Sequence, residues 1–315
     1  MGKIAFIFPG QGSQTVGMGK ELAGNHERSR ALFEKADELL GYGLSNIMFE
    51  GPQETLTKTV NAQPALLTIS TALLDLFKES GIKADYAAGH SLGEYSALVA
   101  AGALSFEEGV SIVRKRGEFM EEAVPDGIGT MAAVLGLERG ILADAAAEVT
   151  ADGYPVQLAN INCPGQIVIS GTVEGVRLAG EKAKEAGAKR VIQLDVSGPF
   201  HSSLMEPAAQ KLSDVLNGAQ IRDASVLVIA NADAMPMEDA DTIKSNLVKQ
   251  LYSPVLWEDS VRKMIELGVD TFIEFGPGKV LGGLVKKISR DVKIYSVSDE
   301  QSCIETIAAL KEEKQ

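Results

Sequence analysis

Short apolar runs alternate with amphipathic stretches along the whole chain. Ile4 to Phe8 is apolar throughout and reads as a buried strand. From Ser29 to Leu40 the pattern changes to a helical one, with Ala31, Leu32, Ala36, Leu39 and Leu40 on one side. Gln63-Pro64-Ala65 predicts the start of a helix running to about Phe77, because proline suits a first helical turn. A strand near Asp85 to Ala88 then leads through a glycine-bounded turn into a helix ending at about Ala101. Ser105 opens the next helix, with Glu108 placed to complete a capping box. There Phe106, Val110, Val113, Gly117 and Met120 form one apolar stripe, and Gly109, Ile112, Arg116, Phe119 and Ala123 form the adjacent one. Glu107, Arg114, Glu118 and Glu121 make the polar side, with Arg114 and Glu118 spaced as an ion pair. Arg114 and Lys115 therefore face outward, whereas Arg116 stands among apolar neighbours.

The rhythm changes after Pro125-Asp126-Gly127-Ile128-Gly129. Thr130–Leu135 reads as strand, Arg139–Val149 as helix and Val156–Ile161 as strand. A turn at Asn162-Cys163-Pro164-Gly165 leads to a strand over Gln166–Ser170, a helix over Val173–Ala186 and a strand over Lys189–Leu194. This βαββαβ order is the ferredoxin-like pattern, whose ends lie close enough together to be inserted into another domain. The remainder returns to α/β: strands at Val226–Ala230, Thr271–Phe275 and Lys293–Val297, and helices at Asp241–Leu251, Trp257–Leu267, Val280–Ile288 and Glu305–Leu310. The expected class is α/β, a parallel-sheet core over 1–126 and 198–315 interrupted by an inserted ferredoxin-like subdomain over 127–197.

Composition narrows the setting. A chain of 315 residues, 45% of them hydrophobic, is long enough for a large core. The net charge of −13 argues against long-range attraction to nucleic acid or an anionic membrane. No signal peptide and no apolar run of spanning length stands out, and Cys163 and Cys303 have no metal spacing. The expectation is a cytoplasmic protein without metal or cofactor.

Candidate chemistry centres on Gly89-His90-Ser91-Leu92-Gly93, between a strand and the helix that begins near Glu94. Strand, Gly-x-Ser-x-Gly and helix is the context of a nucleophile elbow, which lifts the serine hydroxyl to the top of a sheet beside free helix N–H groups. The alternative is a serine in an ordinary glycine-rich turn. Pro9-Gly10-Gln11-Gly12-Ser13-Gln14 lacks the third glycine of a dinucleotide fingerprint, where Thr15 stands, and the lysine of a P-loop. It reads either as glycines that bring backbone N–H groups close to a ligand or as a plain connecting loop. Gln63 has either a cleft-facing or a capping role. Of the three histidines, His26 lies in a polar stretch, and His90 adjoins the serine, where elbow geometry aims neighbouring side chains apart. His201 is the remaining candidate for a base, against the alternative of a packed histidine. Arg116 needs an anion, supplied either by a protein carboxylate or by a substrate carboxylate.

Gly10-Gln11-Gly12-Ser13-Gln14, Gly89-His90-Ser91-Leu92-Gly93-Glu94, Arg116-Gly117, Asn160-Ile161-Asn162, Pro164-Gly165-Gln166, Pro199-Phe200-His201 and Phe275-Gly276-Pro277-Gly278 occur in that order. Together they resemble the malonyl-CoA:acyl carrier protein transacylases of bacterial fatty-acid synthesis, over nearly the whole chain. The resemblance implies a hydrolase-like core with a ferredoxin-like insert, and an active site in the cleft between them. It implies Ser91 as the residue that carries malonyl as an ester, and His201 as base and then acid. It further implies an oxyanion hole from the backbone N–H groups of Gln11 and Leu92, Arg116 as the clamp on the malonyl carboxylate, and the Gln250 backbone carbonyl as the group that orients His201. Gln63, Asn160 and Asn162 are implied as pocket lining, and Phe200 as a residue that crowds out branched acyl groups. Malonyl-CoA and an acidic acyl carrier protein are the implied partners of a monomer. Asp126, Asp144, Asp152 and Asp195 lie between Ser91 and His201, and none has the context of a third catalytic member. The alternative function is a serine thioesterase or esterase with the same dyad. Lys286, Lys287 and Arg290, or Lys189 and Arg190, form either a carrier-docking patch or a solvated face.

Overall fold

The computed structural model describes residues 2–125 and 127–312. Two sheets organise it. The larger contains β1 (Lys3–Phe8), β2 (Tyr86–Gly89), β7 (Leu227–Ile229), β8 (Pro236–Met237), β9 (Val269–Phe275) and β10 (Lys293–Val297) in the order β10-β9-β1-β2-β7-β8. Every pairing is parallel except β7 with β8. The second contains β3 (Gly129–Leu135), β4 (Val156–Cys163), β5 (Gln166–Thr172) and β6 (Arg190–Gln193), all antiparallel, in the order β4-β5-β3-β6. With helices Arg139–Ala151 and Val173–Glu185 this is the ferredoxin-like arrangement that the βαββαβ rhythm predicts. The expected domain boundary at Asp126 lies outside the described residues.

The central strands β1 and β2 are nearly continuous apolar runs because helices cover both faces of the sheet. On one face the rings of Phe6, Phe77 and Phe275 meet edge to face, with centroids 4.9–5.7 Å apart. Trp257, Val261 and Phe272 belong to the cluster on the other face. The second sheet has a core of its own around Leu142, Ile161, Ile169 and Val176.

The helix expected from Gln63 begins earlier, at Thr59, and runs to Lys78 with Pro64 inside it. Pro64 has no N–H for the carbonyl of Val60, and the Arg114 guanidinium supplies the donor instead at 3.0 Å. Arg114 is therefore half-buried rather than turned to solvent, although its predicted pair with Glu118 forms at 2.7 Å. This same helix reaches membrane-spanning length and hydropathy, contrary to the expectation of no such run, but 78% of its apolar window is buried inside the protein, as in a core helix. The last helix starts at Glu300, before the expected Glu305. Helix Glu206–Gly218 is not among the expected elements, although its buried Ala208, Ala209, Leu212 and Leu216 recur at helical spacing. Helices Lys20–Asn25, Leu44–Glu50 and Gln53–Thr57 are too short to leave a periodic signal.

Candidate active site

β1 and β2 end side by side, with Phe8 paired to Gly89. The loops that leave them touch backbone on backbone. A Cβ on Gly93 would stand 2.0 Å from the Phe8 carbonyl oxygen, and one on Gly10 would stand 2.3 Å from that of His90. Any side chain at either position forces the loops apart. Ser91 sits on the turn with φ +51°, a left-handed conformation costly for a residue with a Cβ. The elbow predicted from Gly-x-Ser-x-Gly is thus present, with helix Gly93–Ala100 behind it. Gln11 and Leu92 stand on the two touching loops. Among the described residues, neither backbone N–H has a hydrogen-bond partner.

His201 comes from the loop that returns after β6 and is also held at positive φ, +57°. Its Nε2 lies 2.7 Å from Ser91 Oγ, and its Nδ1 lies 2.8 Å from the Gln250 carbonyl oxygen. A carbonyl only accepts, so Nδ1 carries the proton and Nε2 presents its lone pair to the serine. Burial, reinforced by the charge of Arg116, lowers the His201 pKa to about 3. The ring is neutral at physiological pH.

Arg116 is 1% exposed. Its partners are oxygens of neutral groups: Nη1 donates to Gln63 Oε1 at 2.8 Å, and Nη2 donates to Gln250 Oε1 at 2.8 Å and to Ser91 Oγ at 3.1 Å. The guanidinium also lies 5.5 Å from the Tyr95 ring centroid, and Nε has no partner. Of the two anions left open by the sequence, a protein carboxylate is not bound to it among the described residues. Burial lowers its proton affinity, but a guanidinium keeps its charge in proteins.

These groups open onto a cavity of about 340 Å³ whose walls include Gln11, Leu92, Asn160, Asn162, Phe200 and His201, together with Ser91 and Arg116. His90 lines it too, with Nε2 2.8 Å from Asn162 Oδ1. One expected lining residue, Gln63, stands elsewhere, and Gln250 does more than its expected carbonyl role. Gln63 is fully buried in mid-helix behind Arg116, because the helix starts four residues before it. Gln250 is also buried, and its side chain acts as well as its carbonyl: Nε2 donates to Ser91 O at 2.9 Å and to Glu94 Oε2 at 3.0 Å. A larger hollow of about 450 Å³, beside Leu39, Ser105 and Arg222, contains none of the candidate residues.

A serine on an elbow, a neutral histidine at its hydroxyl and two unpaired N–H groups alongside form the geometry of acyl transfer. The family model described as Acyl transferase domain matches residues 5–308. The chain belongs to the acyl transferase domain family. It is 60% identical to "Malonyl CoA-acyl carrier protein transacylase" of Bacillus subtilis (strain 168), over 99% of each chain. The solved structure of a malonyl CoA-acyl carrier protein transacylase from Clostridium perfringens is 44% identical, with TM-score 0.95, over 99% of this chain and 98% of that one. A malonyl-transacylase solved in complex with a type II PKS acyl-carrier protein is 43% identical, with TM-score 0.94, over 98% and 99%.

Two residues of this acyl transferase domain are missing from the sequence-based candidates. Asn231 follows β7, whose register places it beside the elbow. Its Oδ1 accepts from Ser91 N at 2.7 Å and its Nδ2 donates to Gly89 O at 2.7 Å. One side chain thus continues the strand ladder past the end of β7 and holds the strained turn. Glu94 is completely buried beneath the same turn, where its Oε2 accepts from Asn231 N at 2.9 Å. Burial raises its pKa to about 7. In sequence a glutamate in a first helical turn has an ordinary dipole role, and an asparagine after a strand has an ordinary turn role. Neither carries a signal of its own.

Proposed function

We propose that this protein moves a malonyl group from malonyl-CoA to the phosphopantetheine thiol of acyl carrier protein in fatty-acid biosynthesis, through an ester on Ser91. The observation that carries the reading is Arg116: a buried cation, with no carboxylate hydrogen-bonded to it among the described residues, 3.1 Å from the candidate nucleophile. Malonyl differs from acetyl by a terminal carboxylate, which a planar guanidinium binds with parallel hydrogen bonds. Malonyl-CoA and acyl carrier protein are the two partners.

In the first half-reaction Ser91 Oγ attacks the thioester carbon and gives its proton to His201 Nε2. The oxyanion forms against the N–H groups of Gln11 and Leu92. Its collapse breaks the C–S bond, and the CoA thiolate takes the proton from His201. The carrier thiol then reverses these steps on the ester. No third acid is required, because the Gln250 carbonyl orients the imidazole. Burial is the main cause that depresses the His201 pKa; a carboxylate docked on Arg116 offsets the second, the Arg116 charge. Asn160, Asn162 and Phe200 shape the acyl end of the cavity. The reading places a monomer in the cytoplasm, with no nucleic-acid or membrane partner, and its cleft between the core and an inserted unit over 127–197.

The test is intact-mass measurement after mixing with malonyl-CoA, followed by addition of the holo carrier. A single malonyl adduct is expected on the wild type and none on Ser91→Ala. An equal adduct on that variant overturns the assignment. Label that leaves as free malonate, rather than reaching the carrier, makes the protein a thioesterase.

A further inference from the structure

Among the described residues, Glu94 is the one carboxylate drawn into the hydrogen-bond network behind Ser91, and the steps above do not use it. It does not hydrogen-bond to Arg116. The Gln250 amide stands between them, with Nε2 donating to Glu94 Oε2 at 3.0 Å and Oε1 accepting from Arg116 Nη2 at 2.8 Å. An amide that joins an anion at one end to a cation at the other is polarised by both. Its backbone carbonyl also holds His201. Resting on the malonyl-transfer reading, we propose that Glu94 is a positioning residue that sets, through the Gln250 amide, how strongly Arg116 draws the substrate carboxylate.

The physical reason is that a counter-charge behind an amide leaves the guanidinium without a carboxylate of its own, bound only by neutral oxygens. A carboxylate bound directly to Arg116 would occupy the donors that an acyl carboxylate needs. With Glu94 one amide away, the Nη donors are held only by neutral oxygens, which a carboxylate can displace, and part of the cation's field is balanced. The same negative charge repels the incoming carboxylate, in a buried region where screening is weak. Malonyl must be gripped long enough to acylate Ser91 and then released to the carrier, and a partly balanced cation suits both demands. The other charged and titratable groups around Glu94 are Arg116 on helix Phe106–Glu122, Asp233 after β7 and Tyr95 on its own helix. His201 lies on the far side of Gln250.

The geometry offers a variant that changes charge alone. Oε2 takes both hydrogen bonds, from Asn231 N and Gln250 Nε2, while Oε1 has no partner. In Glu94→Gln the amide oxygen can replace Oε2 and the NH2 can stand where Oε1 has none. The readout is kcat/KM for malonyl-CoA divided by that for acetyl-CoA, measured at pH 8 on the wild type and on Glu94→Gln. The expected result is a rise in this ratio of roughly three- to tenfold, from loss of a negative charge near the carboxylate site. A ratio that is unchanged or lower overturns the proposal, since a purely structural role would lower both substrates together. If the variant melts well below the wild type, the wild-type ratio is followed from pH 5.5 to 8.5 instead. It should fall as Glu94 ionises with rising pH, and a flat ratio overturns the proposal. A wild type that transfers no malonyl to the carrier brings down the functional reading itself, and this proposal with it.

Discussion

Helix Phe106–Glu122 presents two arginines to two different regions of the molecule. At its outer edge Arg114 is paired with a carboxylate: Nε donates to Glu118 at 2.7 Å, and Nη1 lies 3.0 Å from the Val60 carbonyl and the Tyr42 hydroxyl and 3.2 Å from Asn61 Oδ1. On its inner edge Arg116 is more deeply buried, yet among the described residues its hydrogen bonds go only to amide oxygens and a hydroxyl. Burial by itself would call for the opposite, because the more desolvated charge has the greater need of an anion. On the malonyl-transfer reading, the difference is that the deep cation left without a carboxylate, beside the candidate nucleophile, is kept for the substrate's own charge, whereas the carboxylate-paired arginine serves the fold.

The strongest way to break this comparison is Arg116→Ala. Malonyl transfer should lose about 2–5 kcal/mol of transition-state binding, as for truncation of a desolvated charge pair, while acetyl transfer falls little. Arg116→Lys should recover part of the loss, keeping the charge without the fork. Equal losses of kcat/KM for malonyl-CoA and acetyl-CoA would make Arg116 another structural cation. Gln250→Ala comes next. It retains the carbonyl on His201 but removes an acceptor from Arg116, so malonyl kcat/KM should drop about 10- to 100-fold, the worth of a hydrogen bond to a charged group. An unaffected rate would show that only the carbonyl matters.

Arg114→Ala sharpens the comparison from the other side. It strands the Val60 carbonyl that Pro64 cannot pair, and should cost about 1–3 kcal/mol of stability in a denaturation curve. The malonyl-to-acetyl preference should stay as it was; a changed preference would erase the distinction between the two arginines. The smallest effect is expected at the surface. Lys286 and Lys287 are exposed, and Lys287 Nζ lies 3.1 Å from Gln166 Oε1, so this helix end borders the β4–β5 hairpin. The Gly136 N–H donates to the Gly165 carbonyl at 2.8 Å, and the Lys189 side chain packs near Gly136, which brings the second basic pair towards the same rim. Reversing the charge of Lys286 and Lys287 should raise KM for the carrier a few-fold and leave KM for malonyl-CoA alone. An unchanged carrier KM would leave these lysines as a solvated face.

Much of this protein is written locally. Apolar runs and helical stripes mark most of the strands and long helices, because each buries a face whose period belongs to its own backbone. The change of rhythm after Pro125 announces the second sheet. Ser91 is legible because an elbow requires glycines at Gly89 and Gly93, and Arg116 because a charge interrupts an apolar stripe. Their contacts are another matter. That Arg116 meets Gln63 and Gln250 instead of a carboxylate depends on residues 53 and 134 positions away in the chain. Pro64 looks like a helix start until Arg114, from another helix, supplies the donor that lets the helix begin at Thr59. Asn231 and Glu94 gain their places only when β7 is laid beside β2. Periodicity and turn chemistry act over a few residues, so the sequence determined most of the elements and the candidate reactive side chains. Which oxygen faces which nitrogen across the cleft is fixed by packing between distant segments, and the tertiary structure alone decided it.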